Sequence, residues 1–570
     1  MFIFARILSR LTLRAQVLRW RREREPVAGG LGAASAAHGA SAASSARPEL
    51  RIRLASRAEV PYVRAAIRFI YTGHLGEQAG ACAAELLRVR RFALQLQIGG
   101  CVEACEAAIL RLVAHGGSGK GGKGPLAGVE ELFSVRHLLA EKPGGADSGA
   151  TGSSPAADGC PPAAAKGGAA PAGFAAAATS WDPFVARVLA ACRQQLTEHC
   201  GAALVALKAA AAAGAAATAA AAAVLAGLGE LLAWAFRDAP SLLSCPVGRR
   251  QLAALPAAAL EALLRCEAFG TDSEASVLLA LAVWVEANGG CAVRESIRRR
   301  LCRQVRLSHL STPYLHALLP RLPWFPISRE EHAFLCQYVA AGAERDAPAR
   351  RKALAAVAYG KYDCTSPWYA APPRPAGRSD AGRPYEWSVK QEDLAADLDG
   401  ALHRLPHGLS GCFANGASRL VAHGFEWYPG TLWIRADGTP EAVVCCAVPT
   451  VLAAYTSSKD VIGLASAAAR LTVYRWRERP DGGRHGDGRD GRSGRVREEA
   501  SRTECSLESL MGVQGGGGGG TGAAEGGSGS WRLTLFGAGL EKGPGAAERL
   551  LPGLAPFLRG GRLGGALTFL

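Results

Sequence analysis

Methionine is scarce, with 2 among 570 residues, and acidic side chains are outnumbered, 49 Asp and Glu standing against 65 Lys and Arg. The resulting +16 charge and pI near 9.3 favour acidic partners, though charge alone does not choose between nucleic acid and an acidic protein face. Neither a CxxC pair nor a C-x-x-C…H-x-x-x-H spacing occurs among the 16 cysteines. This argues against a zinc finger, and in so long a chain the scattered cysteines read as reduced, mostly buried thiols rather than a disulfide framework. The nearest approaches to a ligand set are Cys101/Cys105, the adjacent Cys445/Cys446, and His403/His407 before Cys412. Pro406 breaks the helix that would align those two histidines.

Long runs of Leu, Ile and Phe are also missing. The uncharged stretch from Ala209 to Gly229 is almost all Ala, far less hydrophobic than a membrane span, and reads as an Ala-rich helix or a low-complexity insertion. Arg6, Arg10 and Arg14 interrupt any apolar core of a secretory signal, while the Arg-rich first 26 residues fit an organelle transit peptide as a second reading. Catalytic signatures are absent too. GSGKGGKGP resembles a phosphate loop, but Gly124 and Pro125 follow Lys123 where Ser or Thr should hold magnesium, so it reads as a linker. With no GxSxG elbow, HExxH or kinase set, an enzyme with its own active site and a bound cofactor are not expected.

What is present is a succession of patterned blocks separated by Gly/Ala-rich tracts near 28–47, 115–124, 143–179, 209–228, 480–500 and 514–530. Helical spacing runs over 59–113 and again over 181–345, where Leu255, Leu260, Leu263 and Leu264, then Val277, Leu281 and Trp284, recur at three- and four-residue steps. TDSE at 271–274 reads as a helix start with a side-chain oxygen capping free N–H groups. In RESIRRRLCRQVRL, Ile297, Leu301 and Val305 line one face, and Arg294, Arg298, Arg299, Arg303 and Arg306 fill the rest. That rest is a solvated face or an acidic docking surface. After 405 the runs become strand-like: TLWIRA, EAVVCCAV, ARLTVYRW, SWRLTLFG and ALTFL. Trp427, Tyr428 and Trp433 there are candidates to face a protein substrate, with core packing as the alternative role.

RFIYTGHL at 68–75 followed by ELLRVRRFALQLQIGGCVEACEAAIL at 85–110 resembles the second half of a BTB/POZ domain, through Phe69, Ile70, Tyr71, Thr72, Gly73, Leu86, Leu87, Val102, Cys105 and Glu106. RAQVLRW at 14–20 sits where a remnant of the first half would fall. The stretch 249–290 is similar to the BACK domain that commonly follows BTB, through Leu255, Pro256, Leu260, Leu263, Leu264, Ser273, Glu274, Val277, Leu281, Trp284 and Val285. It continues through Val305, Arg306, Leu310, Tyr314 and Leu315. The order of parts resembles plant and green-algal BTB/BACK proteins, including the light-response group.

The resemblance implies an α+β multidomain chain. It comprises a divergent N-terminal segment 1–47, the BTB C-terminal half 48–113, a linker with one helix 114–180, an α-helical BACK domain 181–345, a linker 346–405, and a sandwich-like all-β domain 406–570. It further implies a substrate adaptor of a cullin-3 RING ubiquitin ligase, acting in cytoplasm or nucleus without membrane or nucleic acid. BTB would dimerise and dock on the cullin-3 scaffold, and the β domain would hold the substrate. Leu132, Phe133 and His137 are the cullin-facing candidates, with plain packing as their other role. A BTB/BACK interaction scaffold that does not bind cullin is the alternative.

Overall fold

In the computed structural model, helix α1 (Val60–Thr72) carries Pro61 in its first turn, where a missing amide breaks no helical bond, and it ends at Gly73. Gly73 has φ +75° and donates its N–H to the Phe69 carbonyl, a left-handed stop that a side chain would strain. The structure describes residues 52, 54–76, 82–115, 124–140, 183–211, 215–342, 347–358, 361–376, 384–394, 411–413, 417–434, 440–456, 468–478, 495–506, 529–534 and 552–569. The segment 1–47, with its transit-peptide reading, and His403 and His407 lie outside these residues.

The chain divides into two compact units, Met1–His199 and Cys200–Leu570. In the first, α1 is followed by α2 (Ala83–Gln95), α3 (Gly99–His115), α4 (Ala127–Ser134) and the short α5 (His137–Ala140). Val63 and Ala66 of α1, Val89, Phe92 and Ala93 of α2, and Cys101 and Cys105 of α3 form one buried cluster. A fully buried side chain the size of Phe92 stabilises such a cluster by about 1.5–3 kcal/mol. Around it, Glu106 of α3 accepts from Arg90 at 2.8 Å and from Arg187, and the Arg90 guanidinium lies 4.2 Å over the Phe184 ring. Arg187 and Phe184 belong to α6 (Pro183–Ala211).

The second unit continues with α7 (Ala215–Phe236), α8 (Ala239–Ser244), α9 (Pro246–Ala253), α10 (Ala257–Arg265), α11 (Glu274–Ala287), α12 (Glu295–Cys302), α13 (Arg329–Ala341) and α14 (Ala347–Val357). Helix α11 is apolar around its circumference, from Val277 and Leu278 to Trp284 and Val285, and is buried accordingly. Its Trp284 indole N–H donates to the Leu255 carbonyl at 2.7 Å, tying it to the turn before α10. Ile297 is half-buried and Leu301 fully covered on α12, and Val305, expected on the same face, is fully covered in the turn that follows the helix. The arginines around them divide differently from the expected solvated face. Arg294, Arg299 and Arg303 are exposed, but Arg298 is half-buried and donates to the Trp324 carbonyl at 3.4 Å, and Arg306 is buried.

Two antiparallel sheets follow. One has the order β2 (Cys412–Phe413), β1 (Tyr385–Lys390), β10 (Arg562–Phe569), β6 (Ala468–Glu478), β7 (Arg495–Ser506), with β9 (Leu558–Arg559) also on β10. The other runs β3 (Leu420–Ala422), β4 (Phe425–Ile434), β5 (Pro440–Ala447), β8 (Gly529–Thr534), and α15 (Thr450–Ala453) follows β5. Trp427 of β4 meets Phe569 of β10 edge to face with centroids 5.1 Å apart, so one aromatic contact joins the sheets. Helices preceding antiparallel sheets make the chain α+β.

The stretch 346–405, expected to be a linker, holds regular structure. It contains α14, and β1 pairs with β10 from Tyr385↔Leu567 to Lys390↔Arg562. Trp387 and Val389 are buried at alternate positions of β1, which gives a Pro/Gly-rich neighbourhood the apolar face it needs to pair. Among the described residues no helix is long and apolar enough to cross a membrane.

Candidate functional site

The BTB-like motif residues take distinct local roles. Phe69 is half-buried against the α1–α3 cluster, and Gly73 closes α1. Thr72 caps the same end, its hydroxyl 3.1 Å from the Arg68 carbonyl and 3.0 Å from that of His74. Tyr71 faces outward with 60% of its surface exposed. Cys105 is buried one turn from Cys101; its hydrogen bond to Cys101 and its burial both push its thiol pKa up. Of the cullin-facing candidates, Leu132 is fully buried, so it packs rather than faces a partner. Phe133 is half-buried under the Arg136 guanidinium, 4.1 Å from its ring centre, and His137 is exposed.

Of the BACK-like motif residues, Ser273, Glu274, Arg306 and Tyr314 lie in the second unit at a polar junction around the first turn of α11. Ser273 is the N-cap position of α11, as TDSE implies, but its hydroxyl makes no capping bond and has no partner among the described residues. Asp272 acts instead: Oδ1 accepts from the Ser273 amide and the Ser276 hydroxyl at 2.6 Å each, and Oδ2 accepts from the His423 amide. Ser276 Oγ in turn accepts from the Gly424 amide at 3.0 Å, and the Tyr314 hydroxyl donates to the Gly424 carbonyl. The turn between β3 and β4 is thereby plugged onto the first turn of α11. Burial pushes the Tyr314 phenol well up, so it stays a donor.

Beside it, Glu274 accepts from the Arg306 backbone amide at 2.9 Å and from Arg374 Nε at 3.1 Å, with 2% and 0% of the two side chains exposed. Arg306 sends its guanidinium to Glu267 at 2.7 Å and to the Pro372 carbonyl. Arg374 Nη2 reaches the Gln304 carbonyl at 3.0 Å. The Arg306 side chain is therefore buried, which corrects its expected place on a solvated face; the physical reason is that Glu267, itself 71% exposed, supplies counter-charge and the Pro372 carbonyl a second acceptor.

A second buried carboxylate, Glu426 of β4, repeats the arrangement. Its Oε1 accepts from Arg249 of α9 at 3.0 Å and from Arg419 at 3.3 Å, and its Oε2 from the Tyr428 hydroxyl at 2.5 Å. Burial pulls the Arg249 pKa down despite Glu426, and burial pushes the Tyr428 phenol up. Tyr428 is thus half-buried and engaged within the protein. Trp427 is fully buried and its indole donates to the Ala422 carbonyl at 3.0 Å, so it is a core residue and not a substrate-facing one. Trp433 lies in β4, where its backbone pairs with Glu441.

Leu255 and Pro256 sit at the entry to α10, with Leu255 buried and Pro256 at the N-cap. The sequence reading missed Asp272 and Ser276 as clamps, and also Gly424, Glu426 and Arg374. A His-Gly pair between LVA and FEWY was a legible turn signal; Arg374, in a Pro-rich stretch, offered none. Among the described residues no group of three His, Cys, Asp or Glu side chains could hold a metal ion. The Asp272, Ser276 and Tyr314 bonds to the β3–β4 turn and the Glu426–Arg249 pair fix helices against a sheet. Compared with family models, with the curated proteins and with the solved structures, the chain matches none.

Proposed function

We propose that the chain is a substrate-recognition adaptor of a cullin-3 RING ubiquitin ligase, in which a BTB-like unit docks on the scaffold and a BACK-like helical spacer carries the sheets. The observation that carries this reading is the use made of the BACK motif residues. Glu274 holds the Arg306 amide, Trp284 ties α11 to Leu255, and Tyr314 anchors the β3–β4 turn. Such cross-links give a spacer the rigidity an adaptor needs, because a bound substrate must be presented to a distant ubiquitin-loaded enzyme at defined geometry. In the BTB-like unit, Tyr71 and His137 are exposed and Phe133 is half-buried, so each presents surface that a docked partner would cover.

The test is a pull-down and titration of the full chain against the purified cullin-3 amino-terminal domain, alongside Tyr71→Ala and Phe133→Ala/His137→Ala variants. Binding that weakens at least about ten-fold in either variant, roughly 1.4 kcal/mol, supports docking through this unit. An absence of binding by the unmodified chain overturns the adaptor reading and leaves a BTB/BACK scaffold that holds proteins together without ubiquitin transfer.

A further inference from the structure

Helices α10 and α12 present arginines to solvent in a fixed arrangement. Arg265, in the last turn of α10, places Nη2 2.7 Å from Glu261 Oε1, and Arg300 of α12 places Nε 3.2 Å from Glu261 Oε2. One carboxylate therefore holds two guanidinium groups side by side. Both side chains stay open to water, 63% and 53% exposed, whereas Glu261 is only 15% exposed beneath them. Along α12, Arg299 pairs with Glu295 one turn back at 2.5 Å, and the exposed Arg303 follows at the C-cap. Three arginines thus share two carboxylates, and Arg303 lies exposed beside them.

Each guanidinium carries five N–H donors, and the bridges occupy only part of that set, so donors remain on the outward edges. Anchoring by Glu261 and Glu295 removes in advance part of the rotamer freedom that long side chains otherwise lose on binding. The face suits separate carboxylates more than a nucleic acid strand. Glu261 and Glu295 interrupt its positive charge, and none of the exposed large hydrophobic side chains among the described residues, Tyr71, Val205, Val247 and Val357, lies on α10 or α12 to stack a base.

We propose that this arginine face docks an acidic peptide segment of a partner protein, through charge-assisted hydrogen bonds from Arg265, Arg299, Arg300 and Arg303 to its Asp and Glu carboxylates. The inference does not depend on the adaptor reading, since a scaffold without cullin would use the same surface.

The experiment follows the fluorescence anisotropy of a labelled octaglutamate peptide titrated with the full chain. Arg265→Glu/Arg300→Glu is expected to weaken binding at least about ten-fold, and added salt to weaken it further. Arg64→Glu/Arg68→Glu, which changes the net charge equally at two exposed arginines of α1, is expected to leave it unchanged. Circular dichroism checks folding, and if charge reversal disrupts it, Arg265→Gln/Arg300→Gln carries the same expectation. Equal loss in the two charge-reversed pairs would show bulk attraction and overturn the proposal. So would unchanged binding in the α10/α12 variants, or tighter binding of a single-stranded oligonucleotide of eight phosphates that those variants abolish.

Discussion

A β-carbon added at Gly424 would stand 2.7 Å from both the Ala275 β-carbon and Tyr314 Cζ, at a backbone φ of +82°. Two penalties then combine, left-handed strain of about 1 kcal/mol and overpacking of about 1–3 kcal/mol. Gly424→Ala is expected to destabilise the protein by about 2–4 kcal/mol, read as a lowered urea midpoint. Glu274 is vulnerable for another reason, because the Arg374 side chain beside it is fully buried and burial already pulls its pKa down. Glu274→Gln removes a charge that the arginines need and is expected to cost about 3–5 kcal/mol. The double change Glu274→Gln/Arg374→Gln should cost clearly less than the sum of the two single changes; an additive result would mean that the pair does not interact. At this scale the sequence was partly legible. Leu255, Trp284, Leu301 and Val305 were marked for the interior by spacing alone, because apolar periodicity follows burial. Arg306, Arg374 and Glu426 were not, since no spacing rule signals a charge whose partner lies far along the chain.

At the scale of elements, the β3–β4 hairpin behaves as part of the helical block. Its two turn residues, His423 and Gly424, both have positive φ, the combination that matches the twist of paired strands. On the outer edge of β3 the Val421 amide donates to the Ser244 hydroxyl of α8 at 2.9 Å, so a helix caps an edge that would otherwise be open to pairing. The His423 and Gly424 amides are likewise taken by Asp272 and Ser276. Hydrogen exchange should therefore find the Val421, His423 and Gly424 amides as slow as those of α11, whereas amides of an ordinary hairpin turn exchange fast. Fast exchange at these three positions would contradict the plugged turn. Of the strands, β4, β5, β6, β8 and β10 were legible as patterned runs, whereas β7 starts inside a tract near 480–500 that reads as a low-complexity insertion. The strand β1 was not legible either, because Pro and Gly around it outweighed the alternation of Trp387 and Val389.

Over the whole molecule, burial of thiols couples stability to alkaline pH. Burial pushes Cys192 up to about 12 and Cys200 up to about 11, and raises Cys302 and Cys446 as well. A thiol freed by unfolding ionises near about 8.5. Because the folded values are the higher ones, the contribution of these groups is fully present below about pH 8.5. It is lost as pH rises toward the folded values, by up to about 1.4 kcal/mol per pH unit for each thiol. Urea midpoints under reducing conditions should fall between about pH 8.5 and 11, and Cys302→Ala should flatten that fall. A midpoint independent of pH across this window would show the thiols to be open to solvent. The α+β order of helices before strands was visible in the sequence, whereas the joining of helices to sheet was not, because it depends on polar contacts and not on apolar periodicity.

Those contacts also impose an order on synthesis. Ser276 leaves the ribosome 148 residues ahead of Gly424, the residue whose amide it binds. At about 5–20 residues per second, roughly 7–30 s pass before the β3–β4 turn is available. Until then Asp272 Oδ2 and the Tyr314 hydroxyl lack their hairpin partners, and α11 has no plug over its first turn. The nascent helical block must wait for a segment encoded far downstream, and until that segment emerges a chaperone rather than the hairpin can be its first occupant.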